Sequence, residues 1–205
     1  MTVQSLQINE DLQLARLDPQ QATEVLKDHD AKVWVDIQDF TPEGLEEWLD
    51  KLNITGLTRQ LCVEARDRAG FYPLKKEIVL VIPVLVGDKV PAEIDYLAII
   101  CRENLLLTIH QKPVMHLQQT DIFAGAEDWL PDRSIAGLTS AILIDLAQAC
   151  LQNTSKFRGA VIALQKRMDR EPEKIMAEEI LDIQSEVVAL NTVVSDQLPP
   201  VEALS

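Results

Sequence analysis

The chain has 205 residues, 47% of them hydrophobic but only 4% aromatic, and a formal net charge of −14. That length and content allow one good core built mainly from Leu, Ile and Val, organised as a single domain or as a domain with an appendage. The charge excludes nucleic-acid binding, which needs clustered Lys and Arg, and fits cations or basic partners instead.

In chain order, Val3 to Ile8 alternates weakly and predicts an edge strand, and Asp18-Pro19 starts a short helix through Leu26. Lys32 to Ile37 is rich in β-branched and aromatic residues and reads as a strand. Thr41-Pro42 then supplies an N-cap and a first-turn proline for a helix carrying Leu45, Trp48, Leu49 and Leu52, which Asn53 ends. Leu57 to Arg66 forms a second helix before a break at Ala69-Gly70. Glu77 to Val86 is an apolar run typical of a strand buried on both faces, although Pro83 cannot donate to a ladder and assigns the second half to an edge or a bulge. Ile94 to Cys101 and Leu105 to His110 are two further strands joined by a hairpin turn at Arg102-Glu103-Asn104. Pro113 to Asp132 reads as a short helix plus loop leading to Ser134, which caps a long helix.

From Ser134 onward the periodicity changes. Leu143, Ala147, Cys150, Thr154, Phe157, Val161, Leu164 and Met168 recur with spacings of three and four, and so do Met176, Ile180, Ile183, Val187, Leu190 and Val194. Glu171-Pro172-Glu173 separates the two rows, because proline removes a backbone donor and disfavours helical geometry for the residue before it. The expectation is an α/β fold, residues 1–133, with a mixed, partly antiparallel sheet and helices on its faces (α/β/α). A long antiparallel helical hairpin comes next, over residues 134–205, its two rows forming one mutual seam. At ~1.5 Å per residue, a helix from Ser134 to Arg170 is ~55 Å long, so much of the hairpin projects. A projecting pair exposes apolar surface unless a further surface covers it, which points to a homo-oligomer.

The residues that could carry chemistry are few. Cys62, Cys101 and Cys150 are far apart and in apolar surroundings, and read as reduced core residues. No basic start and apolar run mark a secretion signal, and the longest apolar run, Ile78 to Val86, is about half of the ~20 residues a membrane helix needs. The seven glycines form no phosphate loop, and the helical serines lack a nucleophile elbow, so an enzyme is not expected. His29, His110 and His116 have no ligand-spaced partners and read as structural or surface residues; Asp28-His29-Asp30 is as much a soluble turn as a cation site. The best ion-binding signal is Glu178 and Asp182, four apart on one helix face with Glu179 and Glu186 nearby. Like charges at that spacing repel, and a bound cation would relieve them; the plain alternative is a solvated face opposite the seam.

Several segments together resemble the cytosolic domain of the CorA family of divalent-cation transporters. Val33-Trp34-Val35-Asp36-Ile37 is similar to that family's Trp-centred strand, and Asn104 to His110 to its strand ending in Leu-Thr-Val-His. Leu143-Ile144-Asp145-Leu146, Leu164 to Arg170, Glu171-Pro172-Glu173-Lys174, Val188-Ala189-Leu190 and Pro199 match its two arm helices and the start of its stalk. The resemblance implies a pentamer at the cytoplasmic face of a membrane, moving Mg2+, Co2+, Ni2+ or Zn2+, with Mg2+ or Zn2+ as a regulatory ion. The family's two transmembrane helices and Gly-Met-Asn pore signature are absent here, so the expected role is sensing and assembly. Where magnesium-transporting members carry a Glu-Asp pair, this chain has Gln60-Leu61, which turns the resemblance toward the zinc-handling ZntB branch. The competing reading is a soluble homo-oligomeric interaction module that docks partners on its coiled-coil arm.

Overall fold

The computed structural model describes residues 1–8, 14–28, 30–63, 68–87, 92–114, 117 and 134–203. A seven-stranded sheet has the order β2-β1-β3-β7-β6-β5-β4, from β1 (Thr2–Ile8), β2 (Leu14–Leu17), β3 (Lys32–Gln38), β4 (Gly70–Pro73), β5 (Ile78–Val86), β6 (Glu93–Cys101) and β7 (Leu105–His110). Neighbours pair antiparallel except β3 and β7, which run parallel in the middle, with Trp34 beside Leu106 and Asp36 beside Thr108. The sheet is therefore mixed, as its sequence pattern implies.

Alternation along the strands sends side chains to two cores. Val33, Val35, Ile37, Leu105, Leu107 and Ile109 pack against α1 (Pro19–Val25), α2 (Pro42–Lys51) and α3 (Gly56–Val63). Trp34, Leu80, Ile82, Leu97, Ile99 and Leu106 meet Ile135, Leu138, Ile142 and Leu146 of α4 (Ile135–Arg170) on the other face. The helix starts lie where the sequence places them: Asp18, Thr41 and Ser134 cap α1, α2 and α4 by accepting from Gln20, Gly44 and Gly137 N–H groups. Asn53, just after α2, adopts the left-handed conformation (φ 52°) that asparagine tolerates better than most residues.

One expectation changes, one is refined, and two lie partly outside the described residues. β1 is flanked by β2 and is not an edge; β2 and β4, of four residues each, are too short to show a period. The helix expected from Leu57 to Arg66 is described only to Val63, and the segment from Pro113 to Asp132 lies largely outside the described residues. Pro83 pairs with Tyr96 within β5 but beyond the reach of β4, whose register stops at Val81. Its carbonyl accepts from Gln197 Nε2 at 2.7 Å, so the side of the residue that lacks an N–H faces away from β6 and no ladder bond is lost.

The hairpin consists of α4, a 3₁₀ turn at Pro172–Lys174 and α5 (Ala177–Glu202). By length and composition α4 could cross a membrane, but its first four turns are core: its buried residues run from Ile135 to Ala149. None of the residues from Cys150 to Arg170 is buried, a stretch of ~30 Å whose first turn, at Cys150 and Asn153, still borders Val84 and Leu85 of β5.

The seam differs from its sequence reading on α5. The side turned inward carries Glu179, Ile183, Glu186, Leu190, Val193, Gln197 and Pro200, again spaced by four and three but rotated around the helix. Only Ile183 and Leu190 belong to both rows. The physical reason is polar: Glu186 Oε2 accepts the Ala92 N–H at 2.6 Å, and Gln197 donates to the Pro83 carbonyl. A hydrophobic period assigns such residues to solvent, whereas here they satisfy backbone groups at the margin of the sheet. On α4 the expected row is better kept, with Leu143, Cys150, Thr154, Phe157 and Leu164 half-buried and Ala147, Val161 and Met168 exposed.

Candidate functional site

Two places concentrate polar chemistry: the arm, and a buried network inside the body. On the arm, Glu178 and Asp182 both lie exposed on α5. The acidic residues around them are already engaged. Glu179 receives Arg167 Nη1 and Nη2 at 2.6 and 3.2 Å and the Met176 N–H at 3.2 Å, and these bonds hold its carboxyl below the usual carboxylate range. Glu186 is buried against Ala92. Among the described residues no three His, Cys, Asp or Glu side chains gather as a metal set. One chain thus offers a cation two carboxylates at Glu178 and Asp182, and its other ligands have to be water or a second copy.

Among the described residues the alternative cation positions form no metal set. Asp28 accepts the Asp30 N–H at 3.1 Å and shapes a turn, while His29 and His116 lie outside the described residues. Leu61 packs in the core and Gln60 is exposed on α3. Cys62 is buried and Cys101 and Cys150 are half-buried; burial pushes Cys101 and Cys150 above the ordinary thiol range, which makes them poor nucleophiles.

The network in the body joins residues that the sequence places in two motifs. Period-two alternation directs Trp34 and Asp36 of β3, and Thr108 and His110 of β7, to the same face of neighbouring parallel strands. Trp34 Nε1 donates to Thr108 Oγ1 at 2.9 Å, and that hydroxyl donates to Asp36 Oδ1. His110 Nε2 lies 3.1 and 3.3 Å from the two Asp36 oxygens, and Nδ1 lies 2.6 Å from the Lys112 carbonyl. The Lys112 carbonyl only accepts, and so does a carboxylate, so an imidazolium with an N–H on each ring nitrogen satisfies both partners. Burial by itself would lower the His110 pKa, but the Asp36 bond and charge, the Lys112 carbonyl and the Asp95 charge together raise it above 6.5. All four residues are buried.

This network has an acid, a base and a hydroxyl, yet no access for a substrate, so it locks the central parallel pair and does not act on a ligand. Asp95 extends it outward, accepting the Gln111 and Lys112 N–H groups at 2.9 and 2.6 Å and fixing the turn whose carbonyl holds His110. From sequence, His110 reads as a structural or surface histidine and Asp36 does not stand out as a site residue. The available signal is a pair of polar residues, two apart from Trp34 and from His110, inside strands otherwise apolar.

Comparison with known proteins gives a consistent picture. A family model described as CorA-like Mg2+ transporter protein matches residues 29–204. Among solved structures, the full-length CmaX protein superimposes with a TM-score of 0.73 at 10% identity, over 95% of this chain and 60% of that one. The CorA magnesium transporter from Methanocaldococcus jannaschii gives 0.71 at 15% identity, over 100% and 63%. The ZntB cytoplasmic domain from Vibrio parahaemolyticus gives 0.70 at 12% identity, over 98% and 78%. At these identities the likeness is one of fold, and the chain spans about three-fifths of the two full-length neighbours. No curated protein matches by sequence.

Proposed function

The chain belongs to the CorA-like Mg2+ transporter family, and from that membership we propose that it is the cytoplasmic sensing and assembly part of a divalent-cation transporter. Its pore would lie in the part of the full-length neighbours that these residues do not span, and it would sit at the cytoplasmic face of the membrane. The cargo would be a divalent cation such as Mg2+, Co2+, Ni2+ or Zn2+.

The observation that carries this reading is a second apolar stripe on α5. Met176, Ile180, Val187, Val194, Leu198 and Val201 are 38 to 61% exposed, and they run from the N-cap along nearly the whole helix. Single exposed aliphatic residues are ordinary, but a continuous row about 37 Å long marks a surface that another helix covers. Cyclic assembly through α5 covers that row in every copy and places the helices side by side beneath a shared pore. A pentamer is the stoichiometry that the family resemblance implies.

Sensing is assigned to Glu178 and Asp182. A divalent cation held by these two carboxylates, with the rest of its shell as water, relieves their mutual repulsion and adds positive charge to a chain of net charge −14. Titration of the chain with Mg2+ and with Zn2+, monitored by thermal melting and sedimentation velocity, tests the reading. A shift in melting or mass is expected with one of the ions, and Glu178→Gln/Asp182→Asn should abolish it. Profiles indifferent to both ions at millimolar concentration would remove sensing from the assignment.

A further inference from the structure

The arm carries opposite charges on its two helices. Between Lys156 and Arg170, α4 presents Lys156, Arg158, Lys166, Arg167 and Arg170 against a lone acid, Asp169. The facing stretch of α5 holds Glu178, Glu179, Asp182 and Glu186 with no basic residue. Within one chain the two sets meet at Arg167 and Glu179. Arg158, Ile162 and Lys166, each four residues from the next, share the outer face of α4 and are exposed, Ile162 by 45%.

On α5, Leu181, Gln184, Ser185, Val188 and Ala189 line, together with Ala92 and Ile94, a shallow groove of about 510 Å³, and Glu178 and Asp182 precede that stretch, Asp182 three residues before Ser185 and Glu178 three before Leu181. Leu181 and Val188 are 57 and 65% exposed there. Leu181 and Val188 are turned about 100° round the helix from the Ile180–Val187–Val194 stripe.

Resting on the assembly reading above, we propose that the groove beside Leu181 and Val188 receives the outer face of α4 from a second copy of this chain, with Ile162 seated between Leu181 and Val188, Lys166 of that copy facing Glu178 and Asp182, and Arg158 adding its charge at the Val188 end. Two features of the structure support that occupant. The first is charge: copies of net charge −14 repel, so contact between them favours places where a basic face meets an acidic rim. The second is height. Arg167 stands opposite Glu179 in an antiparallel pair, so Arg158 to Lys166 occupy the same stretch of the rod as Val188 to Glu178. A rotation about an axis along the rod changes no heights, so two different patches at one height can join head to tail and close a ring without climbing into a filament. The neighbouring copy's Lys166 and a divalent ion then compete for the same pair of carboxylates.

Charge reversal on each side tests the contact by sedimentation velocity of the chain. Glu178→Lys/Asp182→Lys and, separately, Arg158→Glu/Lys166→Glu are each expected to weaken association by roughly tenfold or more, and the fourfold variant to recover most of that loss. Both doubles associating as the wild type does, or a fourfold variant no better than its parents, would overturn the proposal. All four positions are exposed, and a far-UV circular dichroism spectrum like the wild type's with a cooperative melt establishes that the variants fold; if a reversal unfolds, the corresponding alanine pair replaces it with the same reading. Val187→Asp on the other stripe separates the two inferences. An oligomer that dissolves on Val187→Asp but ignores the reversals refutes this contact alone, whereas a monomeric wild type refutes the assembly reading as well.

Discussion

Removing the Asp36 carboxylate should be among the most damaging single changes in the body. Asp36→Ala leaves the His110 Nε2–H and the Thr108 hydroxyl without their acceptor, in a place where His110 is 1% exposed and Thr108 is fully buried. Breaking a buried ion pair on one side costs about 3 to 5 kcal/mol, against a total stability of about 5 to 15 kcal/mol for a typical domain. For a chain of this size each kcal/mol moves the melting temperature by about 2 to 4 °C, so a fall of about 6 to 20 °C is expected. Thermal unfolding monitored by circular dichroism at pH 6 measures it. Asp36→Ala/His110→Leu removes both partners and orphans less, and should melt above Asp36→Ala alone. A single variant melting within about 2 °C of the wild type, or a double variant less stable than the single, would refute the description of this network as a buried ion pair.

The same pair sets a pH dependence. His110 has a folded-state pKa above 6.5, so its contribution is fully present below 6.5 and disappears as pH rises through the higher folded value. The wild type should therefore lose more melting temperature between about pH 6 and pH 9 than His110→Gln does, and parallel losses in the two would contradict the assignment. Glu186→Ala leaves the Ala92 N–H without its acceptor and should cost about 1 to 3 kcal/mol. In hydrogen exchange that loss should appear along α5 while the amides of β3 and β7 stay protected, and a uniform rise across the sheet would argue against a separately docked helix. Arg167→Ala removes an exposed pair at the tip of the arm and should leave the melting temperature within about 3 °C. Pro83→Ala should cost less than about 1 kcal/mol, because the N–H it restores faces away from β6; a loss several times larger would mean that Pro83 holds α5 in place by its shape.

Most of the body was legible because its elements obey one rule at a time. β3, β5, β6 and β7 are long enough for β-branched content and alternation to stand out, and Thr41-Pro42 and Ser134 are start signals with a local mechanism. The four-residue strands β2 and β4 exist by pairing with their neighbours and have no period of their own. On α5, two faces are nearly equal in hydrophobic period, and what decides between them is a pair of hydrogen bonds to β5 and to Ala92, which a count of apolar residues reads with the wrong sign. Glu178 and Asp182 are both exposed on α5, but a pair of exposed carboxylates becomes a site only through what stands opposite, which the sequence does not give. Asp36 and His110 are 74 residues apart in sequence, and only the parallel register of β3 with β7 brings them together.

Assembly of this chain through the exposed stripe of α5 is the claim on which the transporter reading depends, and sedimentation equilibrium at several concentrations measures it most directly. A closed oligomer is expected, its mass a whole multiple of 23.0 kDa, reduced to one copy by Val187→Asp with the circular dichroism of the folded chain retained. A wild-type chain that stays at 23.0 kDa at every concentration would contradict that claim.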